Sequence, residues 1–527
     1  MSTPGVAIRA RLDSAVRRTL PVALLGALAL LLVLTSLEKH LTYDELPNLF
    51  YGYRFLTAGP GVGSRSSGPV VALSVLPCLH SLATGSQRKA VDADEVQRLL
   101  VRMPTMGFAL GLGMLLYRWV SEALGPAAAR LTLALYVFNP TILAHGKQVT
   151  GDMATAFFTT GALFAAWLFA RRPGRWAFLW CVVSTAGAAL SKPTALYLLL
   201  VIPVLVASCA WRNGLRPTVR QVLSGIGLVT AFVLGVLFII NAAYRFDGTF
   251  QRSTEVPFKS RAARRVAAWG LPMPLPAGYA RSIDRAADAG EGTDSPCGPN
   301  YVVGKLSAGI TWYAFPLMVL LKTPLAFFGL AGITLTSGMR RTPAAAWHFW
   351  LVPALVHLAV FSFGVKWQLG IRYVLPTVVL LLPLAGAAAL ATKGLRHALM
   401  LALTGWYVVS ALSYYPHPMC YFNELIGRRT NAYRYLADSN LDWEDRSAEI
   451  ARYRLRHRDL DIAFQPLEPR TGYVLVGANH LVGLLGGSGR YEYLRRLEPI
   501  DHVGYSCLLF HVRPEDLPSA RQPSAVP

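Results

Sequence analysis

Two acidic residues, Asp44 and Glu45, follow directly on the first long apolar run of the chain, where a helix leaving a bilayer would meet water. A carboxylate kept beside lipid is costly and rare, so in such a place it marks a candidate functional site. Other ionisable residues sit at equivalent boundaries: His145, Lys147 and Asp152 between two apolar runs, Lys192 after another, and Lys366 with Arg372 ahead of a later one. Lys322 differs, lying inside the apolar run Phe315 to Gly332, close to Pro324. Carboxylates beside cations on one side of a membrane suit a reaction in which a hydroxyl or amine loses a proton and a phosphate departs. The carboxylate serves as general base, and Lys or Arg stabilises the charge developing on the phosphate.

Each residue also has a structural reading. Asp44-Glu45 could cap a helix running into the amphipathic stretch Leu46 to Leu56, and Asp152, after Thr150-Gly151 and before an apolar run, has the look of an N-cap. Lys192, Lys366 and Arg372 lie near span ends and could snorkel to the interface, as could Lys322 beside its proline break. The aromatic group Trp312-Tyr313-Phe315 reads as an interfacial belt.

The elements that must position these residues are membrane helices. The chain has 527 residues, 53% of them hydrophobic and only 15% charged, with a mean hydropathy of +0.39, the composition of a polytopic α-helical membrane protein. The formal net charge of +22 does not point to nucleic acid, because Lys and Arg are spread over short loops and one long one instead of forming a basic domain with stacking aromatics. Windows of apolar residues predict about eleven spans, near 19–37, 102–121, 127–144, 153–170, 176–191, 194–211, 222–243, 312–336, 346–364, 373–391 and 397–414. With the N-terminus inside, Arg9, Arg11, Arg17 and Arg18 and every short inner loop fall on the cytoplasmic side, among them Arg171-Arg172, Arg340-Arg341 and Lys393 with Arg396. This requires Ser191-Lys192-Pro193 to break the stretch Trp176 to Trp211 into two short helices. It also leaves the arginine-rich stretch Arg245 to Lys305 outside, which long loops tolerate; its segment Arg261 to Trp269 suits an amphipathic helix in the interface. The first run ends without a small-x-small cleavage site and reads as a signal anchor. The six cysteines lack metal-ligand spacing, and a Cys420 to Cys507 disulfide stays open.

After Tyr415 the pattern changes. A polar, helix-favouring stretch from Trp443 to Arg458 is followed by two strand-like runs beginning at Tyr473 and Val503. The expected organisation is therefore a transmembrane unit, 1–414, with outer loops 38–101 and 244–311, and a small extracytoplasmic α/β domain, 415–527.

The same ionisable residues carry a family resemblance. The stretch Thr42 to Leu56, with Asp44-Glu45, Asn48 and Gly52, resembles the first outer-loop motif of GT-C glycosyltransferases of the protein O-mannosyltransferase and lipid A aminoarabinose transferase group, glycosyltransferase family 39. Asn139 to Asp152 is similar to that group's second acidic motif. The likeness continues at Leu190-Ser-Lys192-Pro, Leu321-Lys322-Thr-Pro324 and Gly370-Ile-Arg372-Tyr373. Beyond the last span, Tyr415-Pro-His417 through Asn423-Glu424 and Asp438-Ser-Asn440-Leu-Asp442-Trp443 resemble a block of bacterial members.

The resemblance implies an inverting transfer of a sugar from a polyprenyl-phosphate-linked donor to an acceptor at the outer face of a bacterial inner membrane, with membrane lipid as surroundings and protein, lipid or glycan as acceptor. It makes Asp44, Glu45 and Asp152 the catalytic candidates and Lys192, Lys322 and Arg372 the donor-phosphate candidates. His145, Lys147, His417, Asn423, Glu424, Asp438 and Asp442 are further candidates. Asn48 departs from the histidine that many members carry. No cofactor is required, although Asp44, Glu45 and Asp152 could hold a divalent metal as a hard oxygen set. A rival reading is a secondary transporter or flippase of a lipid-linked sugar, which would be expected to show internal repeats and midplane residues on broken helices; no repeat is visible. A scaffold without chemistry and an O-antigen-ligase-like polymerase fit the acidic pair less well.

Overall fold

The structure is a computed structural model and describes residues 4–60, 68–79, 94–212, 214, 216–291, 299–338, 343–391, 393–487 and 489–518. Arg340, Arg341 and Cys297 lie outside the described residues.

The chain is a polytopic helical membrane protein. In order, its helices are α1 (Pro4–Leu37), α2 (Glu45–Thr57), α3 (Gly68–Val75), α4 (Glu95–Leu124), α5 (Pro126–Val137), α6 (Pro140–His145), α7 (Asp152–Arg171), α8 (Arg175–Ser191), α9 (Leu198–Arg212) and α10 (Val219–Ala243). There follow α11 (Arg261–Ala267), α12 (Ala277–Glu291), α13 (Ala314–Lys322), α14 (Leu325–Ile333), α15 (Ala344–Gly364), α16 (Leu375–Gly386), α17 (Leu395–Leu412), α18 (Ala432–Tyr435), α19 (Ser447–Arg456) and α20 (Ala478–Leu481). Local chemistry sets several of their ends. The Asp94 side chain accepts from the amides of Val96 and Gln97 to open α4, which closes at Gly125 with φ of 90°. Thr218 and Gln221 form a reciprocal capping box at the start of α10.

The eleven apolar runs all appear as helix, but not all as full spans. Among the described residues eight helices are long and apolar enough to cross a membrane, or nine if one bent pair counts as a span. The run 127–144 is divided at Phe138-Asn139 into α5 and α6 because Asn139 caps α6, accepting from Thr141 and Ile142. The run 176–191 is the 17-residue α8. The run 312–336 breaks by 90° between α13 and α14, at Thr323-Pro324, where proline removes a donor. Asn423 supplies the missing partners: its Nδ2 donates to the carbonyls of Leu320 at 2.6 Å and Thr323 at 2.8 Å. Hydropathy cannot distinguish a straight span from one broken by a strap that is distant in sequence.

The bundle core forms around α4, α5, α7 and α8, with the indole of Trp119 buried between those of Trp167 and Trp350. A second core joins α13 and the start of α16 to the chain beyond Tyr414. There, strands β3 (Ile462–Phe464), β4 (Gly472–Gly477), β5 (Asp501–Val503) and β6 (Cys507–Val512) form a sheet in the order β3-β4-β6-β5, parallel only between β3 and β4; β1 and β2, earlier in the chain, are the hairpin Asn300–Val302 and Lys305–Ser307. Both strand-like runs read from the sequence lie on this sheet, and α19 falls within the expected helical stretch. Cys420 and Cys507 are free thiols. The Cys420 sulfur instead lies 3.1 Å from the Leu441 carbonyl and 3.1 Å from Nη2 of Arg446.

Candidate functional site

Asp44 stands at the N-cap of α2, yet its side chain makes no capping hydrogen bond. It turns to Arg372, whose Nη1 donates to Oδ2 at 2.8 Å, and it stays about a third exposed, at 32% of its side chain. Arg372 lies in a single 3-10 turn, Ile371–Val374, that leads into α16. Gly370 ahead of it has φ of 98°, and a Cβ there would meet the Ser439 hydroxyl at 2.6 Å. Only glycine allows both the backbone and the contact. The turn 438–440 pins this corner: Ser439 donates to the Leu369 carbonyl and Asn440 Oδ1 accepts from the Ile371 amide. The guanidinium is thereby held with Nε on the Leu369 carbonyl at 3.2 Å and its Cζ 4.1 Å from the Trp443 ring centre, a cation–π arrangement. Among the described residues Nη2 of Arg372 has no protein acceptor.

A second carboxylate–cation pair lies next to the first. Asp152 is the first residue of α7, not its cap, and pairs with Lys192. Lys192 sits where α8 ends, in extended backbone, with Nζ 4.3 Å from the centre of the Tyr373 ring. Tyr373 thus lies between the two cations, since Arg372 also approaches its ring, at 5.6 Å. His145 closes one side, its ring centre 6.1 Å from that of Trp443. Its Nδ1 is paired with Gln148 at 3.1 Å. Burial, aided by the charge of Arg372 and only partly opposed by Asp152, pushes its pKa down to about 4, so it is neutral at pH 7. Asp438, whose backbone is left-handed at φ of 58°, is near enough to feel Arg372 and Asp44; burial raises its carboxyl, and the charge of Asp44 adds to the rise.

Glu45 is separate in kind. It is fully buried and takes four hydrogen bonds: Arg102 Nε and Nη2, each at 2.9 Å, and the amides of Thr42 at 2.7 Å and Val149 at 3.1 Å. Burial pushes its carboxyl up, but the charge and hydrogen bonds of Arg102 outweigh this and hold it below the usual value. It is a brace joining the two acidic loops, and Asn48 reinforces the brace by donating to the Val149 carbonyl at 2.9 Å.

Several other sequence candidates also hold the fold together. The Lys322 ammonium donates to the carbonyls of Met419 at 2.7 Å and Asn440 at 2.6 Å, so it straps the break in the 312–336 run to the chain beyond the last span. Lys147 donates to the Thr35 carbonyl at 2.7 Å, and burial brings its pKa down to about 7 against the opposing charge of Glu444. Asp442 caps the start of α20 by accepting from the Asn479 amide at 3.3 Å. Glu424 accepts from Trp406 and Ser410 on the exposed side of α17. His417 belongs to a buried ion network in which Lys39 pairs with Glu449 and Glu444, and Arg446 with both the same glutamates. Among the described residues no three His, Cys, Asp or Glu side chains converge in a way that could hold a metal ion. Asp44, Glu45 and Asp152 instead each face a different cation.

Sequence reading missed Arg102, which it treated as the first residue of a span, and Tyr373 and Trp443, which it quoted only as neighbours of charged residues. It also missed Lys39, Glu444, Arg446 and Glu449. The one signal for Arg102 was a charge at the head of an apolar run, opposite an acidic loop.

Residues 95–239 match the model of the dolichyl-phosphate-mannose-protein mannosyltransferase family, and the glycosyltransferase resemblance read from the motifs stands on that segment. No curated protein matches the chain by sequence. Similar solved structures include the apo oligosaccharyltransferase of Archaeoglobus fulgidus, at 12% identity and a TM-score of 0.44, covering 84% of this chain and 58% of that one. They also include ArnT from Cupriavidus metallidurans, as the apo protein (12% identity, TM-score 0.30) and bound to undecaprenyl phosphate (13%, 0.28), each alignment covering 94% of this chain and 99% of that one. The chain thus spans little more than half the length of the archaeal enzyme.

Proposed function

We propose that this chain, whose residues 95–239 match the model of a mannosyltransferase family, transfers a sugar, with inversion, from a polyprenyl-phosphate-linked donor to an acceptor on the outer face of a bacterial inner membrane. The observation that carries the reading is the pairing of a partly open carboxylate, Asp44, with an arginine whose second terminal nitrogen is unengaged, beside a lysine on the same face. Asp44 takes the proton from the acceptor hydroxyl or amine as that atom attacks the anomeric carbon. The bond from that carbon to the phosphate oxygen breaks, and polyprenyl phosphate leaves with the electron pair. Nη2 of Arg372 and the Lys192 ammonium stabilise the departing phosphate, while Asp152 orients Lys192. A single base on the acceptor side accounts for inversion. Glu45 and Lys322 act through the scaffold. The unit 1–414 carries the catalytic pairs, and 415–527, which supplies Trp443 and the turn 438–440, completes the site wall.

The test is sugar consumption by the purified chain in detergent, given polyprenyl-phosphate-linked sugars of several kinds, with Asp44→Asn alongside. The reading requires that the native protein consume one donor and that the folded variant not do so. Donor moved between vesicle leaflets without consumption would replace the enzyme by a flippase.

A further inference from the structure

The loop between α10 and α13 holds a groove that the catalytic reading does not use. Helices α11 and α12 enclose an apolar groove with a cavity volume of about 510 Å³, lined by Phe258, Val266, Trp269, Leu271, Ile283 and Ala287 among others, within the range of roughly 300–1,000 Å³ typical of small-ligand pockets. The polar groups in its wall are satisfied within the protein. Ser253 donates to the Ala267 carbonyl at 2.9 Å, Ser260 donates to Asp284 at 2.6 Å, and Asp284 accepts from the amides of Lys259 and Ser260. Such a groove offers water nothing and offers hydrocarbon a dry surface.

Its position indicates which hydrocarbon fills it. Phe246, just past the end of α10, packs its ring 5.8 Å from that of Phe238 on the exposed flank of that span, so the loop leaves the bundle at lipid level. Backbone hydrogen bonds from Phe250 to Met273 and from Ser253 to Leu271 hold the groove against this exit. At the mouth, Trp269, Leu271 and Val266 are 71%, 59% and 58% exposed, an apolar patch of the kind that marks an interaction surface. Arg264 and Arg265 stand exposed on the same short helix, and paired arginines at a bilayer surface attract anionic headgroups.

We propose that this groove binds an acyl chain of an anionic phospholipid, with Arg264 and Arg265 at the headgroup. The proposal does not depend on the catalytic reading. The test places the full chain in phosphatidylcholine nanodiscs doped with phosphatidylglycerol carrying a photoreactive diazirine on its acyl chain, and maps the adducts by mass spectrometry. Expected are adducts within 258–287, a roughly ten-fold preference over photoreactive phosphatidylcholine that vanishes in Arg264→Ser/Arg265→Ser, and loss of labelling when Ala263→Trp fills the groove. Ala287→Leu, a smaller filling, stands in if Ala263→Trp fails to fold. Adducts unchanged by filling, equal labelling by both lipids, or no adducts in 258–287 would each overturn the proposal.

Discussion

Asp44 and Glu45 are neighbours in sequence, each bound to an arginine, yet they sit in opposite environments. Glu45 has no exposure, four donors and a two-point grip from Arg102; Asp44 is a third exposed, with one donor from Arg372. A saturated buried carboxylate has no lone pair left for a substrate proton and serves by holding two loops together. A partly open one keeps an oxygen in reach of an incoming group. The difference follows from helix geometry, which points consecutive side chains about 100° apart, so that at the start of α2 one enters the protein and the other faces the cleft.

The widest effect expected from this contrast is on rate. Asp44→Asn should cut sugar transfer by roughly 10²–10⁴-fold with an unchanged melting temperature; a variant that unfolds would place Asp44 with Glu45 instead. Glu45→Ala should act the other way, leaving Arg102 buried without its carboxylate and costing roughly 3–5 kcal/mol of stability, visible as a lower melting temperature in detergent. Retained stability with lost activity would break the distinction. Arg372→Lys keeps the charge but loses the fork and the stacking plane, and should raise the KM for the donor by about ten-fold or more while leaving stability intact. Replacing the ring under that arginine, Trp443→Leu, removes a cation–π contact worth about 0.5–2 kcal/mol, a loss of about two- to thirty-fold in kcat/KM that Trp443→Phe should partly restore. Full activity in Trp443→Leu would show that Arg372 is positioned without it.

The smallest effect concerns acid. Burial pushes the Glu444 carboxyl up, but Lys39 and Arg446 outweigh it and bring its pKa from 4.5 to about 2; burial and the same two cations bring His417 from 6.5 to about 3. Both groups bind more protons when unfolded over these windows, so their contribution is complete above pH 6.5. It falls first as His417 is passed between pH 6.5 and about 3, and then as Glu444 is passed between 4.5 and about 2. Melting temperatures recorded from pH 8 down to 4 should decline below 6.5, and Glu444→Gln should flatten the part below 4.5.

Much of the candidate site was legible because its residues sit where composition forbids them. Asp44, Asp152, Lys192 and Arg372 were each conspicuous as charges at the ends of apolar runs. Their pairing was not, since Asp44 and Arg372 are 328 positions apart. Lys322 was equally conspicuous, but that its ammonium donates to the backbone carbonyls of Met419 and Asn440, in two turns far along the chain, could not be read from its place in an apolar run. Trp443 was hidden for the opposite reason, because an aromatic residue in a polar stretch carries no charge to draw the eye.

What the sequence alone determined is the class and the materials: helices from long apolar runs, and ionisable residues gathered at span ends. These depend on hydrophobicity and local backbone chemistry, which act over a few residues. Which carboxylate is sealed and which is open, which cation straps the fold and which keeps a nitrogen free, and that the C-terminal segment supplies the ring beneath Arg372 were decided by the tertiary structure. Burial and hydrogen-bond saturation depend on which groups from distant parts of the chain arrive at the same place, and a sequence read along its length does not contain those arrivals.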